Sequence, residues 1–212
     1  MERASVYESL GRRPDAIADL QAAYDLEPSN GTAFYLAKLL AYDGRAEEAF
    51  ALLDSLPVGE ADRISYADAW ATVSGLDGDT GSALALLAEE VERKPENSQV
   101  LNADCWVRGL FNVALDSALG QCTRAVDRAD NAVAALDSRA MVRYRLGEYD
   151  AAIADLDAAL ALAPGLAPSR YLRGIVRLRN GDPAGREDVE TALRMAPELA
   201  DIYGRHGVKP IS

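Results

Sequence analysis

Leu146-Gly147-Glu148-Tyr149-Asp150-Ala151-Ala152-Ile153, running on through Leu156, Ala159 and Leu160 to Pro164, is the stretch that decides how this chain folds. Its apolar residues 152, 153, 156, 159 and 160 recur every three to four places, which puts them on one face of an α-helix. Gly147 ends the helix before it, because a residue without a Cβ takes the left-handed cap conformation at little cost. Pro164 stops the helix after it, having no backbone N–H and crowding the preceding turn. The stretch therefore reads as helix, tight turn, helix.

The same punctuation recurs in both directions. Glycines stand at Gly11, Gly44, Gly78, Gly147 and Gly181, at intervals of 33, 34, 69 and 34 residues. The interval of 69 is two periods with one mark missing, and Val113 occupies that place. Alanine follows five residues after the first five marks, at Ala16, Ala49, Ala83, Ala118 and Ala152. Nine residues after them come Leu20, Leu53, Leu87, Cys122 and Leu156, and seventeen after come Pro28, Pro95, Asp130 and Pro164. The second unit stops early at Pro57, and the sixth has lost one residue, so Gly185, Val189, Ala192 and Pro197 arrive one place early. A fixed period of this length marks an array of stacked supersecondary units. The expected helix pairs are 2–10/13–27, 32–43/46–56, 64–77/80–94, 98–111/115–129, 133–146/149–162 and 168–180/183–195, with a last short helix near 198–205. The looser segment Pro57–Arg63 is the expected irregularity.

The pattern resembles the tetratricopeptide repeat family over almost the whole chain. That resemblance implies an all-α, right-handed superhelical array of about six helix-turn-helix units. They fall near 1–29, 30–62, 63–97, 98–131, 132–166 and 167–197, with a capping helix at 198–206, all in one domain spanning 1–212. Arg139 and Arg173 depart from the family pattern, which favours a large apolar residue there, and Asp130 replaces a proline. The first unit begins inside its first helix, as a piece of a longer protein or an eroded cap would. From Leu101 to Pro210, including Cys105-Trp106, Leu136-Asp137-Ser138-Arg139 and Tyr203-Gly204 through Val208-Lys209-Pro210, the chain is similar to C-terminal repeat arrays of bacterial transglutaminase-like proteins. This second resemblance implies an exported parent with its catalytic domain upstream. It leaves the location open between cytoplasm and periplasm.

Composition excludes several classes of function. The net charge of −12 opposes nucleic-acid binding, which needs a basic surface. The first hundred residues hold 8 Lys and Arg against 19 Asp and Glu, the remainder 14 against 15. No run of about 18 uncharged apolar residues exists to cross a membrane, so no membrane insertion is expected. The sole histidine, His206, lies in the tail and reads as a solvated helix-end residue. No catalytic residue, metal site or cofactor is expected, because metals and triads need rigidly clustered ligands. Glu47-Glu48 and Glu89-Glu90 read as solvent-facing charge. Gly75-Leu76-Asp77-Gly78-Asp79-Thr80-Gly81 lacks the strand before and the Lys-Ser/Thr after that a phosphate loop needs, and reads as a turn. Asn30-Gly31-Thr32 matches a glycosylation triplet but reads as a turn into a helix.

Two further features bear on function. Cys105 and Cys122 fall where the family pattern places mutually packing residues, eight before and nine after Val113. They read either as two buried thiols or as a disulfide stapling the hairpin in an oxidising compartment. In the family's geometry the concave wall comes from the first helix of each pair. In the last three units this implies a partner-binding strip of Val107, Leu110 and Phe111, then Met141, Tyr144 and Arg145, then Tyr171, Ile175, Leu178 and Arg179. The first helices of the fifth and sixth units carry arginines at 139, 143, 145, 170, 173, 177 and 179 against one acid, Asp137. The partner expected from this is a protein or peptide segment with an acidic edge. The alternative is that the strip is covered by the C-terminal tail or is inter-repeat core. At the level of the protein, the expected function is an interaction scaffold. The alternative is a non-catalytic architectural or regulatory domain of a longer protein.

Overall fold

The structure, a computed structural model, describes residues 2–211. Those residues form thirteen α-helices and no strand. They divide into two compact units, the first ending at Pro95 and the second starting at Glu96. Among the described residues no helix is long and apolar enough to cross a membrane.

The first unit is three helical hairpins: α1 (Glu2–Ser9) with α2 (Arg13–Leu26), α3 (Asn30–Tyr42) with α4 (Ala46–Asp54), and α5 (Arg63–Leu76) with α6 (Thr80–Arg93). Leu20, Leu36, Leu53 and Val73 are buried in one cluster with Phe34. Each large side chain so buried contributes roughly 1.5–3 kcal/mol. The segment between α4 and α5 is irregular, as its sequence suggests. It is fastened by Asn30 of α3, whose side-chain amide donates to Asp62 at 2.7 Å and to the Pro57 carbonyl at 3.2 Å. The Ser29 hydroxyl caps α3 by accepting from the Thr32 N–H, and Asp79 caps α6 by accepting from the Ser82 N–H. Asn30-Gly31-Thr32 is thus the start of a helix, and the glycine-rich stretch at 75–81 is a hairpin turn followed by a cap.

The second unit holds α7 (Ser98–Phe111) with α8 (Leu115–Arg128), α9 (Val133–Leu146) with α10 (Tyr149–Leu162), α11 (Ala167–Arg179) with α12 (Gly185–Met195), and a last helix α13 (Leu199–Arg205). Helix α12 starts two residues later than the spacing suggests, behind a turn at Asp182–Ala184. Gly174 and Gly185 let α11 and α12 cross closely: a Cβ on Gly174 would sit 2.7 Å from the Gly185 carbonyl oxygen.

All six hairpin turns close with one hydrogen bond of the same kind. The N–H of Arg12, Arg45, Asp79, Val113, Glu148 and Asp182 donates to the carbonyl five residues back, at 2.8–3.0 Å. In five of the turns the residue before that donor is a glycine with positive φ, such as Gly147 at 79°. In the fourth turn it is Asn112, at φ 59°. The missing mark is therefore Asn112 and not Val113. Ala114, also left-handed at φ 48°, is an inserted residue that keeps the following helix in step. Asparagine is the usual second choice for this conformation.

One place in the hairpin carries two different chemistries across the three hairpins of the second unit. In α7 it is Cys105, joined to Cys122 of α8 by a disulfide with Cα atoms 5.1 Å apart. In α9 it is Arg139, whose Nε and Nη2 donate to the two carboxylate oxygens of Asp155 in α10 at 2.9 and 2.7 Å. In α11 it is Arg173, forked in the same way onto Asp188 of α12 at 2.8 and 2.7 Å. A second arginine one turn on joins each carboxylate: Arg143 reaches Asp155 and Arg177 reaches Asp188, both at 2.8 Å. Arg139 and Arg173 are thus halves of buried ion pairs, which is why they replace the usual apolar residue.

Candidate functional site: the inner face of the second unit

Helix α7 packs along α9, α9 touches α11 only lightly, and the expected strip falls on these three first helices. Val107, Leu110, Met141, Tyr144, Tyr171 and Ile175 are buried; Phe111, Arg145 and Leu178 are half-buried; Arg179 is exposed. What covers the strip is the chain's own C-terminal segment. Leu199, Tyr203 and Val208 belong to the same core cluster as Met141, Tyr144, Tyr171 and Ile175. The Tyr203 ring meets Tyr171 edge-on with centroids 5.2 Å apart, and His206 meets Phe111 edge-on at 5.0 Å. Such aromatic pairs add about 0.5–1.5 kcal/mol each beyond their buried area.

The segment is shaped for this contact. Gly207, at φ 71°, reverses the backbone after α13. The Val208 N–H then returns to the Tyr203 carbonyl at 3.0 Å and the Gly207 N–H to the Gly204 carbonyl at 3.1 Å. This double bond pattern satisfies the helix's last carbonyls and turns Val208 inward.

Arg145 fastens segment and strip together. Its Nε donates to the Gly109 carbonyl at 3.1 Å, and its Nη2 donates to the carbonyls of Leu110 at 3.0 Å and His206 at 2.6 Å. Both groups of carbonyls are the unfilled acceptors of a helix C-terminus, where a cation is favoured. Burial lowers the Arg145 pKa from its ordinary value. His206 does not sit solvated at a helix end, as the sequence suggested. It is packed on Phe111, and burial, followed by the charges of Arg145 and Arg205, pushes its pKa down to about 4. No periodic signal relates residues 199–208 to α7 and α9, so this landing place was invisible in the repeat pattern.

The arginines read as a basic edge are mostly spent inside the hairpins. Arg139 and Arg143 serve Asp155, Arg173 and Arg177 serve Asp188, and Arg170 donates to the Pro164 carbonyl at 3.0 Å. Arg179 alone of the seven is exposed. The expectation of an acidic partner edge therefore loses its support: most of those guanidinium groups are held by carboxylates and carbonyls of this chain.

Toward the other end of the same three helices lies a cavity of about 560 Å³ that the sequence did not announce. Asn102 and Trp106 of α7 line one side, Val133, Ala134 and Asp137 of α9 the middle, and Leu166 and Pro168 at the start of α11 the far side. The Ser169 hydroxyl donates to Asp137. Burial raises the Asp137 pKa to about 6 in spite of that hydrogen bond. The Asn102 side-chain oxygen is buried without a hydrogen-bond partner.

Residues 133–166, which comprise α9 and α10, match the tetratricopeptide repeat family. A tetratricopeptide repeat protein from Parabacteroides merdae superposes with a TM-score of 0.60 at 19% identity, over 97% of this chain and 82% of that one. A chain of the APC/C hetero-tetramer Cut9–Hcn1 gives 0.59 at 16% identity, over 94% of this chain and 41% of the other. YrrB, described as a TPR protein with an unusual peptide-binding site, gives 0.51 at 18% identity, over 87% and 96%. At these identities the likeness concerns the fold. No curated protein matches the sequence.

Proposed function

Because residues 133–166 are a tetratricopeptide repeat and the whole chain has the all-α fold of tetratricopeptide repeat proteins, we propose that it is a protein-interaction scaffold. Its second unit holds a segment of another polypeptide along α7, α9 and α11. One observation carries this reading. A stretch of polypeptide, residues 199–208, already lies on that strip, held by ring contacts and by Arg145. The surface therefore offers what a bound segment needs: apolar and aromatic side chains in a row and a donor for main-chain carbonyls. A partner reaches Tyr144, Arg145, Tyr171 and Ile175 by displacing the tail. Phe111, Leu178 and Arg179 form the rim it meets first. YrrB's peptide-binding site is a precedent on the same fold.

Peptides selected from a display library on the full chain test this. Phe111→Asp and Leu178→Asp, in proteins of unchanged helicity, should each weaken the selected peptides about tenfold or more, because each sets a carboxylate against the peptide's apolar side chains. Ala158→Asp, on the exposed side of α10, should leave them unchanged. Equal binding by all three variants would place the site elsewhere.

A further inference from the structure

The cavity between Trp106 and Asp137 has a chemistry of its own. Asp137 is the one charged side chain that lines it. Among the described residues its carboxylate has the Ser169 hydroxyl as its hydrogen-bond partner and no cation. The nearby arginines that might have neutralised it, Arg139 and Arg143, are committed to Asp155 across the hairpin. Beside it is the Asn102 side-chain oxygen, an acceptor with nothing to accept. The rest of the wall is an indole, the polar side chains of Asn131 and Ser138, and the aliphatic surfaces of Val133, Ala134, Leu166 and Pro168.

Asp137 and the Asn102 oxygen favour one kind of guest. A carboxylate and an unfilled carbonyl oxygen both want donors, and a buried acceptor left unmade is costly. An indole ring attracts a cation that approaches its face. The aliphatic wall asks for a hydrocarbon stem. An anion is repelled, and no three His, Cys, Asp or Glu groups among the described residues are placed to hold a metal ion. The protein's net charge of −12 draws a basic partner from a distance.

We propose that this cavity receives the side chain of a lysine or arginine carried by the bound polypeptide, with Asp137 and Asn102 accepting from its cationic head and Trp106 packing along it. This rests on the reading of α7, α9 and α11 as a segment-binding face, and it gives that face a basic rather than an acidic partner. A charge buried beside Asp137 also removes the cost of keeping that carboxylate ionised, the condition reflected in its raised pKa.

The test uses the full chain with Trp70→Phe, so that Trp106 is the sole indole. The probes are capped single residues, N-acetyl-lysine and N-acetyl-norleucine methylamides, and a capped nonapeptide of serine and alanine with lysine or norleucine at its centre. Binding is read by Trp106 fluorescence and calorimetry. Lysine probes should bind at least tenfold more tightly than their norleucine counterparts. Asp137→Asn, which keeps a hydrogen-bonding partner for Ser169 and removes the charge, should abolish that preference. Trp106→Leu should reduce it several-fold, read by calorimetry. Lysine and norleucine nonapeptides that bind equally would overturn the cation pocket and leave the segment-binding face standing. Lysine methylamide that binds as tightly as the nonapeptide would keep the pocket and overturn the segment. A lysine preference that survives Asp137→Asn would overturn the assignment of the pocket to this carboxylate.

Discussion

Asp137 and His206 are perturbed in opposite directions, and the pair makes the second unit's stability respond to pH in a way that can be predicted. Asp137 has its folded pKa raised to about 6, above the ordinary carboxylate value. Its contribution is fully present at low pH and is lost as pH rises through about 6. His206 has its folded pKa lowered to about 4, so its unfolded form takes up a proton first. Its contribution is present above about 6.5 and is lost as pH falls towards 4. Asp137→Asn should therefore raise the melting temperature at pH 8 by a few degrees and change it little at pH 4.5. His206→Gln should flatten the loss between pH 6.5 and 4. Thermal melts at both ends of the range check this, and an Asp137→Asn gain at pH 4.5 equal to that at pH 8 would contradict it. Neither role was legible beforehand. Asp137 looked like a stray acid in a row of arginines, and His206 like a tail residue, because what defines each is a neighbour more than 30 residues away in the chain.

At the level of the hairpin, the repeat pattern carried most of the information. Apolar spacing and glycine marks placed every helix within about two residues, since turns and amphipathic faces are local properties. It erred at the fourth turn, where Asn112 does a glycine's work, and it treated Arg139 and Arg173 as departures. Their partners Asp155 and Asp188 recur at matching places in the following helices, a signal visible only when the two helices are compared as a pair. These pairs are buried, with Asp155 5% and Arg139 13% exposed at the side chain. Removing one partner strands the other charge. Asp155→Ala should lower stability by about 3–5 kcal/mol, while Arg139→Leu, Arg143→Leu and Asp155→Leu combined should recover most of it. Reducing the Cys105–Cys122 bridge, which closes 17 residues, should cost less, about 3 kcal/mol at most. Urea denaturation of the variants orders these effects. A loss under 1 kcal/mol in Asp155→Ala would mean that the pair does not hold the hairpin.

For the molecule as a whole, fold and role were unequally legible. Stacked hairpins follow from a period that any reader of the chain can count. The inner face of the second unit follows from family geometry. Its cover, residues 199–208, and its open cavity do not, because both depend on where non-periodic segments come to rest. The proposed role turns on a foreign segment lying along α7, α9 and α11. It is tested most directly by photo-cross-linking, with a reactive side chain placed in turn at Phe111 and Leu178 on the rim, at Ala134 beside the cavity and at Ala158 on α10. Selected peptides should be trapped from the first three positions and not from the fourth. Cross-links confined to Ala158, or equal from all four, would contradict the claim.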